Sequence, residues 1–152
     1  MNFWPISKKL LIEILADRIS DKFVCYLIWE RLGYIKSKED ANSWIPGPNT
    51  SEYWTENFSC PPLFISQRKA SVQLSRSIKN EYKQSLKNYL SFEGYKINEL
   101  YPRRTRRATA VNWLIFWVVS NGKALPLEGP LPDLLEQPSN PLNGHPGDCL
   151  IE

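Results

Sequence analysis

Arg103, Arg104, Arg106 and Arg107 place four arginines in five positions, directly ahead of the most apolar stretch of the chain, residues 108–119. A guanidinium group is permanently charged, planar and weakly hydrated, and its forked donors fit carboxylate or phosphate oxygens in pairs. The spacing therefore suits recognition of an anion. Arg68, Lys69, Arg76, Lys79, Lys83 and Lys87 lie upstream and extend the basic stretch. Tyr95, Tyr101 and Trp113 are near enough in sequence to add stacking or anchoring contacts.

Other side chains with chemical potential do not assemble. His145 is the only histidine and sits in a Pro- and Gly-rich segment, so a catalytic set would have to be built on it alone. Cys25, Cys60 and Cys149 are odd in number and lack the spacing of a metal or redox pair. The seven glycines fall in neither nucleotide-binding fingerprint. Glu52 and Glu56 are four apart, a spacing that more often makes a solvated helix face than an acid–base pair. The expectation is a non-enzymatic protein without metal or cofactor.

Charge is unevenly distributed along the 152 residues, although the net value is only +3. Residues 61–123 carry 12 basic and 3 acidic side chains, whereas residues 124–152 carry 5 acidic ones and the single His. A cationic module is thus followed by an anionic tail, a pattern that concerns partners rather than fold. The tail holds six of the twelve prolines and no period beyond a turn near 133–137. It is read as flexible or docked, and its charge could mask the arginines. Residues 1–6 lack an apolar core behind a basic start, so no signal peptide is expected. The 12-residue apolar run is shorter than the roughly 20 residues a membrane span needs. Reduced thiols and a cytoplasmic setting follow as expectations.

The elements that must position these groups are mainly helical. Ser7 can cap a helix whose stripe is Leu10, Leu11, Ile14 and Leu15. Ser20 can cap a second, with Phe23, Val24, Leu27 and Ile28 on one face and Gly33 near its end. A short helix is expected in 51–58, with Tyr53, Trp54 and Phe58 packed on the body of the domain. Alternation of Val72 and Leu74 with serines suggests a short strand at 71–75, pairing with 95–97. Ser77 is read as the start of another helix, with Tyr82, Leu86, Tyr89 and Leu90 inward, a basic row of Lys79, Lys83 and Lys87, and Gly94 as its stop. Pro102 suits the first position of the last helix, whose apolar residues surround its axis and mark it as central and buried. The expected fold is a compact, mainly α domain over residues 1–123, α+β if the short two-stranded element forms, followed by the Pro-rich acidic tail 124–152.

The segments Ser71-Val72-Gln73-Leu74-Ser75-Arg76-Ser77-Ile78 and Gly94-Tyr95-Lys96-Ile97-Asn98-Glu99-Leu100-Tyr101-Pro102-Arg103-Arg104-Thr105-Arg106-Arg107-Ala108-Thr109-Ala110 carry a resemblance. Together they resemble an uncharacterised family of small soluble proteins from cyanobacteria and plant plastids, a domain of unknown function, over residues 7 to 119. The resemblance implies a cyanobacterial cytoplasm or plastid stroma and supplies no residue roles.

The arginines admit two readings. Four unpaired guanidinium groups cannot be buried, so they project beyond the core edge or lie in the connector before the helix. There they would form a surface for an acidic protein partner, with RNA or DNA the alternative and an anionic membrane surface a third choice. Alternatively, Glu93, Glu99 and the acidic tail satisfy them from within. The first reading leads: an accessory or assembly-type protein working through Arg103, Arg104, Arg106 and Arg107, with nucleic-acid binding by the same residues second and an enzyme without a recognisable motif third.

Overall fold

Ser7 opens the first helix as its position predicts: its Oγ accepts from the Leu10 backbone N–H at 3.1 Å. In the computed structural model, which describes residues 2–40 and 42–152, helix α1 spans Lys8–Leu15 and buries Leu10, Leu11, Ile14 and Leu15. The chain leaves α1 through Asp17, which adopts a left-handed φ of +63°. The Asp17 N–H donates to Ile14 O and the Arg18 N–H to Glu13 O. This is the paired bonding of a Schellman helix end, where glycine is the usual residue. Ser20 then caps α2, Asp21–Arg31, its Oγ accepting from the Phe23 N–H at 3.2 Å.

Two short strands follow, β1 at Ile35–Lys36 and β2 at Trp44–Ile45, paired antiparallel with Ile35 opposite Ile45 and Lys36 opposite Trp44. Gly47 lies so close to Gly33 that an added Cβ would collide with the Gly33 carbonyl oxygen. Helix α3, Glu52–Asn57, buries Trp54, and Phe58 is buried just after it. Tyr53 remains 39% exposed, so only two of the three aromatics expected to pack inward do so.

The two-stranded element is therefore not where alternation placed it. Residues 71–75 lie inside α4, Arg68–Ser77. Ala70, Leu74 and Ile78 recur every four residues and are all buried, and this helical period governs over the local alternation of Val72 and Leu74. Residues 95–97 lead into a 3₁₀ turn, Ile97–Glu99. The helix expected from Ser77 is also broken up. A 3₁₀ turn at Asn80–Tyr82 precedes α5, Ser85–Leu90. The chain exits α5 at Ser91, with φ +53°, rather than at Gly94. Lys79, Lys83 and Lys87 accordingly do not ride one helix face.

Helix α6 starts at Pro102, as expected, and runs to Ser120. It packs against α1, α2, α4 and α5 and is the central element. Ala110, Val111, Trp113, Leu114, Ile115 and Val118 are buried along it, and Phe64 and Ile65 complete the core from the α3–α4 connection.

The tail crosses the body of the domain in extended form. Pro126 O and Leu127 O accept from the Lys8 and Lys9 N–H groups at the start of α1. Pro130 O accepts from the Trp4 indole at 3.2 Å. The Leu135 N–H donates to Arg18 O, and the Gln137 amide to Ala16 O, at the far end of α1. The final N–H, of Glu152, reaches Ser66 O.

Candidate functional site

Helix α6 begins with a conflict. Its N-terminus is the positive end of a helix dipole, and Arg103, Arg104, Arg106 and Arg107 all lie in its first two turns. No acidic residue occupies that first turn. The structure resolves the conflict from the other side of the core. Asp17, at the left-handed exit from α1, and Asp21, at the first position of α2, converge on the arginines. The geometry pairs Arg103 and Arg107, four apart on α6, with two aspartates also four apart at the α1–α2 junction.

Arg103 is 1% exposed and uses all three nitrogens. Its Nη1 and Nη2 donate to the two oxygens of Asp17, each at 2.7 Å. Its Nε and Nη2 donate to the two oxygens of Asp21, each at 2.9 Å. Burial alone would lower the Arg103 pKa, but the hydrogen bonds to Asp17 and Asp21 hold it above the ordinary guanidinium value. Arg107 is fully buried. It donates to Asp21 Oδ1 at 2.7 Å and to the carbonyls of Ile14 and Ile19 at 2.9 and 2.6 Å. It thereby satisfies a carbonyl at the negative end of α1, where a cation is favoured.

Arg104 donates from Nε to Asp17 at 3.3 Å and from Nη1 to the Glu99 carbonyl at 3.2 Å. Its guanidinium carbon lies 6.0 Å from the Tyr95 ring and 5.4 Å from the Tyr101 ring, within cation–π range. Tyr95 donates its hydroxyl to Leu15 O at 2.8 Å, and burial pushes its phenol up to about 12. Both tyrosines are half-buried and serve an internal cation. Burial would raise the Asp17 pKa, yet the Arg103 hydrogen bond and the charges of Arg107 and Arg103 bring it below the ordinary carboxylate value.

Three of the four arginines are thus neither beyond the core edge nor in a connector. They are inside the helix and buried, and burial is tolerable because each charge is paired and hydrogen-bonded. The partners are Asp17 and Asp21, not Glu93 or the Glu99 side chain. The tail does contribute. Asp148 accepts from the Asp21 and His145 N–H groups at 3.1 and 2.8 Å and lies 3.7 Å from Arg103 Nη2. His145, in the tail read from sequence as flexible or docked, is 4% exposed, with Nε2 3.0 Å from Glu136 O. Three buried arginines thus face three buried carboxylates.

Arg106 points the other way and is half-buried. It donates to the Ile65 and Ser66 carbonyls at 2.9 Å each and to Glu152 O at 3.0 Å. Burial lowers its pKa and the nearby charge of Arg68 lowers it further. Arg68 and Arg106 line an open groove between α4 and α6 with Ser71, Val72, Tyr101 and Thr105. A second groove holds Lys83 and Lys87 and shares Leu100 and Thr105 with the first. Arg76, Lys79 and Lys87 are exposed, and Lys83 reaches back to Ser75 O. Among the described residues, Arg68, Arg76, Lys79, Lys83 and Lys87 have no side-chain carboxylate within 4.0 Å, whereas Arg106 also feels the charge of Glu152.

No helix of the described residues is long and apolar enough to cross a membrane. Among them no group of three or more His, Cys, Asp or Glu is placed to hold a metal ion. All three cysteines are free thiols, Cys25 buried and Cys60 and Cys149 exposed.

No curated protein matches the chain. A bacterial protein solved in solution by NMR is 42% identical to it, with a TM-score of 0.68 over 81% of this chain and 100% of its own. The model of a domain of unknown function, DUF1823, matches residues 5–119, from ahead of α1 through the arginine cluster to the end of α6, and the chain belongs to that family.

Proposed function

We propose that this chain is a non-enzymatic accessory protein that engages an acidic protein partner through the basic face between α4, α5 and α6. The observation that carries the reading is the pair of grooves joined at Leu100 and Thr105. They bring Lys83 and Lys87 onto one continuous surface with Arg68 and Arg106. Leu100 is 53% exposed and Ile97 95% exposed beside them. Unpaired cations around an exposed apolar centre suit a partner with carboxylates around an apolar anchor. Arg103, Arg104 and Arg107 act from beneath by fixing α6. Of the cations named from sequence, Arg68, Arg106, Lys83 and Lys87 line the grooves and Leu100 joins them, whereas Arg76 and Lys79 are exposed but line neither. Resemblance to proteins of cyanobacteria and plant plastids supports a setting in the cytoplasm of a phototroph or a plastid stroma.

A protein partner is favoured over RNA or DNA because Arg104 already stacks on one face of Tyr95 and of Tyr101 and both rings are half-buried, which reduces the area open to a base. The test is fluorescence anisotropy with two labelled probes, an oligoglutamate peptide with one central Leu and a single-stranded RNA, across a salt series. Wild type is compared with Arg68→Glu/Lys87→Glu, two exposed positions. The reading expects peptide binding that weakens at least about tenfold in the variant. RNA binding tighter than peptide binding, with a salt slope that falls by about 2 in the variant, would transfer the face to nucleic acid.

A further inference from the structure

The Asp148 carboxylate occupies a position built for an anion. One oxygen accepts the Asp21 N–H, a first-turn donor of the 11-residue helix α2. The other accepts the His145 N–H at 2.8 Å and faces Arg103 at 3.7 Å. The Asp148 side chain is 1% exposed. Without it, Arg103, Arg104 and Arg107 face only Asp17 and Asp21, so one buried positive charge is left over. Such a charge is costly unless an anion meets it. Asp148 nevertheless comes from the tail, beyond residue 119 where the family match ends.

A cavity of about 200 Å³ opens directly beside this carboxylate. Its walls include Cys25, Trp29, Leu63 and Ile65, with Lys22 as a further cation and the 147–149 loop of the tail as the remaining side. The Trp29 indole N–H is already committed to Pro62 O at 2.7 Å. Burial pushes the Cys25 thiol up to about 12, so it stays neutral and acts as an apolar wall. A dry apolar cavity of about 150 Å³ is large enough for a benzene ring.

We propose that this is a ligand site for a small carboxylic acid with an apolar body, and that the tail holds it closed with Asp148 as an internal stand-in. The ligand carboxylate replaces that of Asp148 at the Asp21 N–H and Arg103, and its apolar part fills the adjoining cavity. The site shares no lining residue with the α4–α6 grooves and does not depend on how they are used.

The test is an NMR titration of the full chain with benzoate, and with benzamide as its uncharged counterpart. Wild type is compared with Asp148→Ala, and with Asp133→Ala as a control at an exposed tail carboxylate. In Asp148→Ala, benzoate is expected to shift the Asp21 amide and the Trp29 indole and to bind at least about tenfold more tightly than to wild type. Asp133→Ala is expected to match wild type. Equal benzoate affinity in all three proteins, no binding to Asp148→Ala, or benzamide binding it as tightly would overturn the proposal. If Asp148→Ala is unfolded in buffer, benzoate and not benzamide should restore the folded spectrum, and failure to do so would overturn it equally.

Discussion

Asp17 combines two requirements that usually belong to different residues. Its backbone occupies the left-handed position that closes α1, where glycine fits without a side-chain penalty. Its carboxylate meets Arg103, Arg104 and Arg107. The magnitudes decide which requirement dominates. Replacing a non-glycine residue by glycine at such a position recovers about 1 kcal/mol, whereas removing one partner of a buried charge pair costs about 3–5 kcal/mol. Asp17→Gly should therefore lose about 2–4 kcal/mol in urea unfolding, and Asp17→Ala more, since it keeps the backbone penalty as well. A stabilised Asp17→Gly would show that the turn, and not the ion pairs, selects this residue.

The same carboxylate predicts a pH dependence. Its folded pKa lies below the ordinary value of 3.8, so the unfolded chain takes up the proton first on acidification. The stabilisation is complete above that ordinary value and is lost as pH falls through the folded pKa. Wild-type stability should drop with falling pH in that acid range, and Asp17→Asn should show a shallower drop. Parallel profiles would remove Asp17 as a source of acid sensitivity.

Among the elements, helix starts were the most legible feature of the sequence. Ser7 and Ser20 each sit three residues ahead of the first residue of an apolar stripe, Leu10 and Phe23, and both make the capping bond. Ser51 stands in the same relation to α3 but makes no side-chain cap bond. Ser7→Ala and Ser20→Ala should each cost about 1 kcal/mol of unfolding free energy, and Ser51→Ala only a few tenths. Equal losses at all three positions would contradict the assigned caps.

Helix α4 imitates a strand because Ser71, Gln73 and Ser75 alternate with Val72 and Leu74, while the helical set Ala70, Leu74 and Ile78 has its last member at the C-cap, just past the helix. The partners of the arginines were hidden for a different reason. Asp17 and Asp21 lie 82 to 87 residues away from Arg103 and Arg104 in sequence, and nothing local marks which acids the fold will deliver. The matched spacing, four residues between the aspartates and four between Arg103 and Arg107, was the available signal. It becomes meaningful only once α6 is known to cross the α1–α2 junction.

At the scale of the whole molecule, the acidic tail is part of the folded body. It supplies carbonyls to the Lys8 and Lys9 amides, which open α1 and have no partner within their own helix. Hydrogen exchange should find both amides protected, and rapid exchange at both would describe a detached tail. The charge pattern along the sequence correctly separated a cationic middle from an anionic end. What it could not supply was depth, because a buried arginine and an exposed one contribute equally to net charge. Folding divides the basic residues into an internal set, neutralised by Asp17, Asp21 and Asp148, and an external set around Arg68, Arg106, Lys83 and Lys87.

That division is the central claim, and NMR hydrogen exchange of the arginine Nε–H groups in the wild-type chain tests it most directly. Arg103 Nε–H donates to Asp21 at 2.9 Å and Arg107 Nε–H to Ile14 O at 3.3 Å, both out of contact with water. Arg68 is exposed. The account predicts slowly exchanging Arg103 and Arg107 Nε–H resonances at neutral pH, beside an Arg68 signal that exchanges at the rate of a free guanidinium group. Exchange of Arg103 and Arg107 at the Arg68 rate would contradict it, and would return those arginines to the surface as candidates for binding.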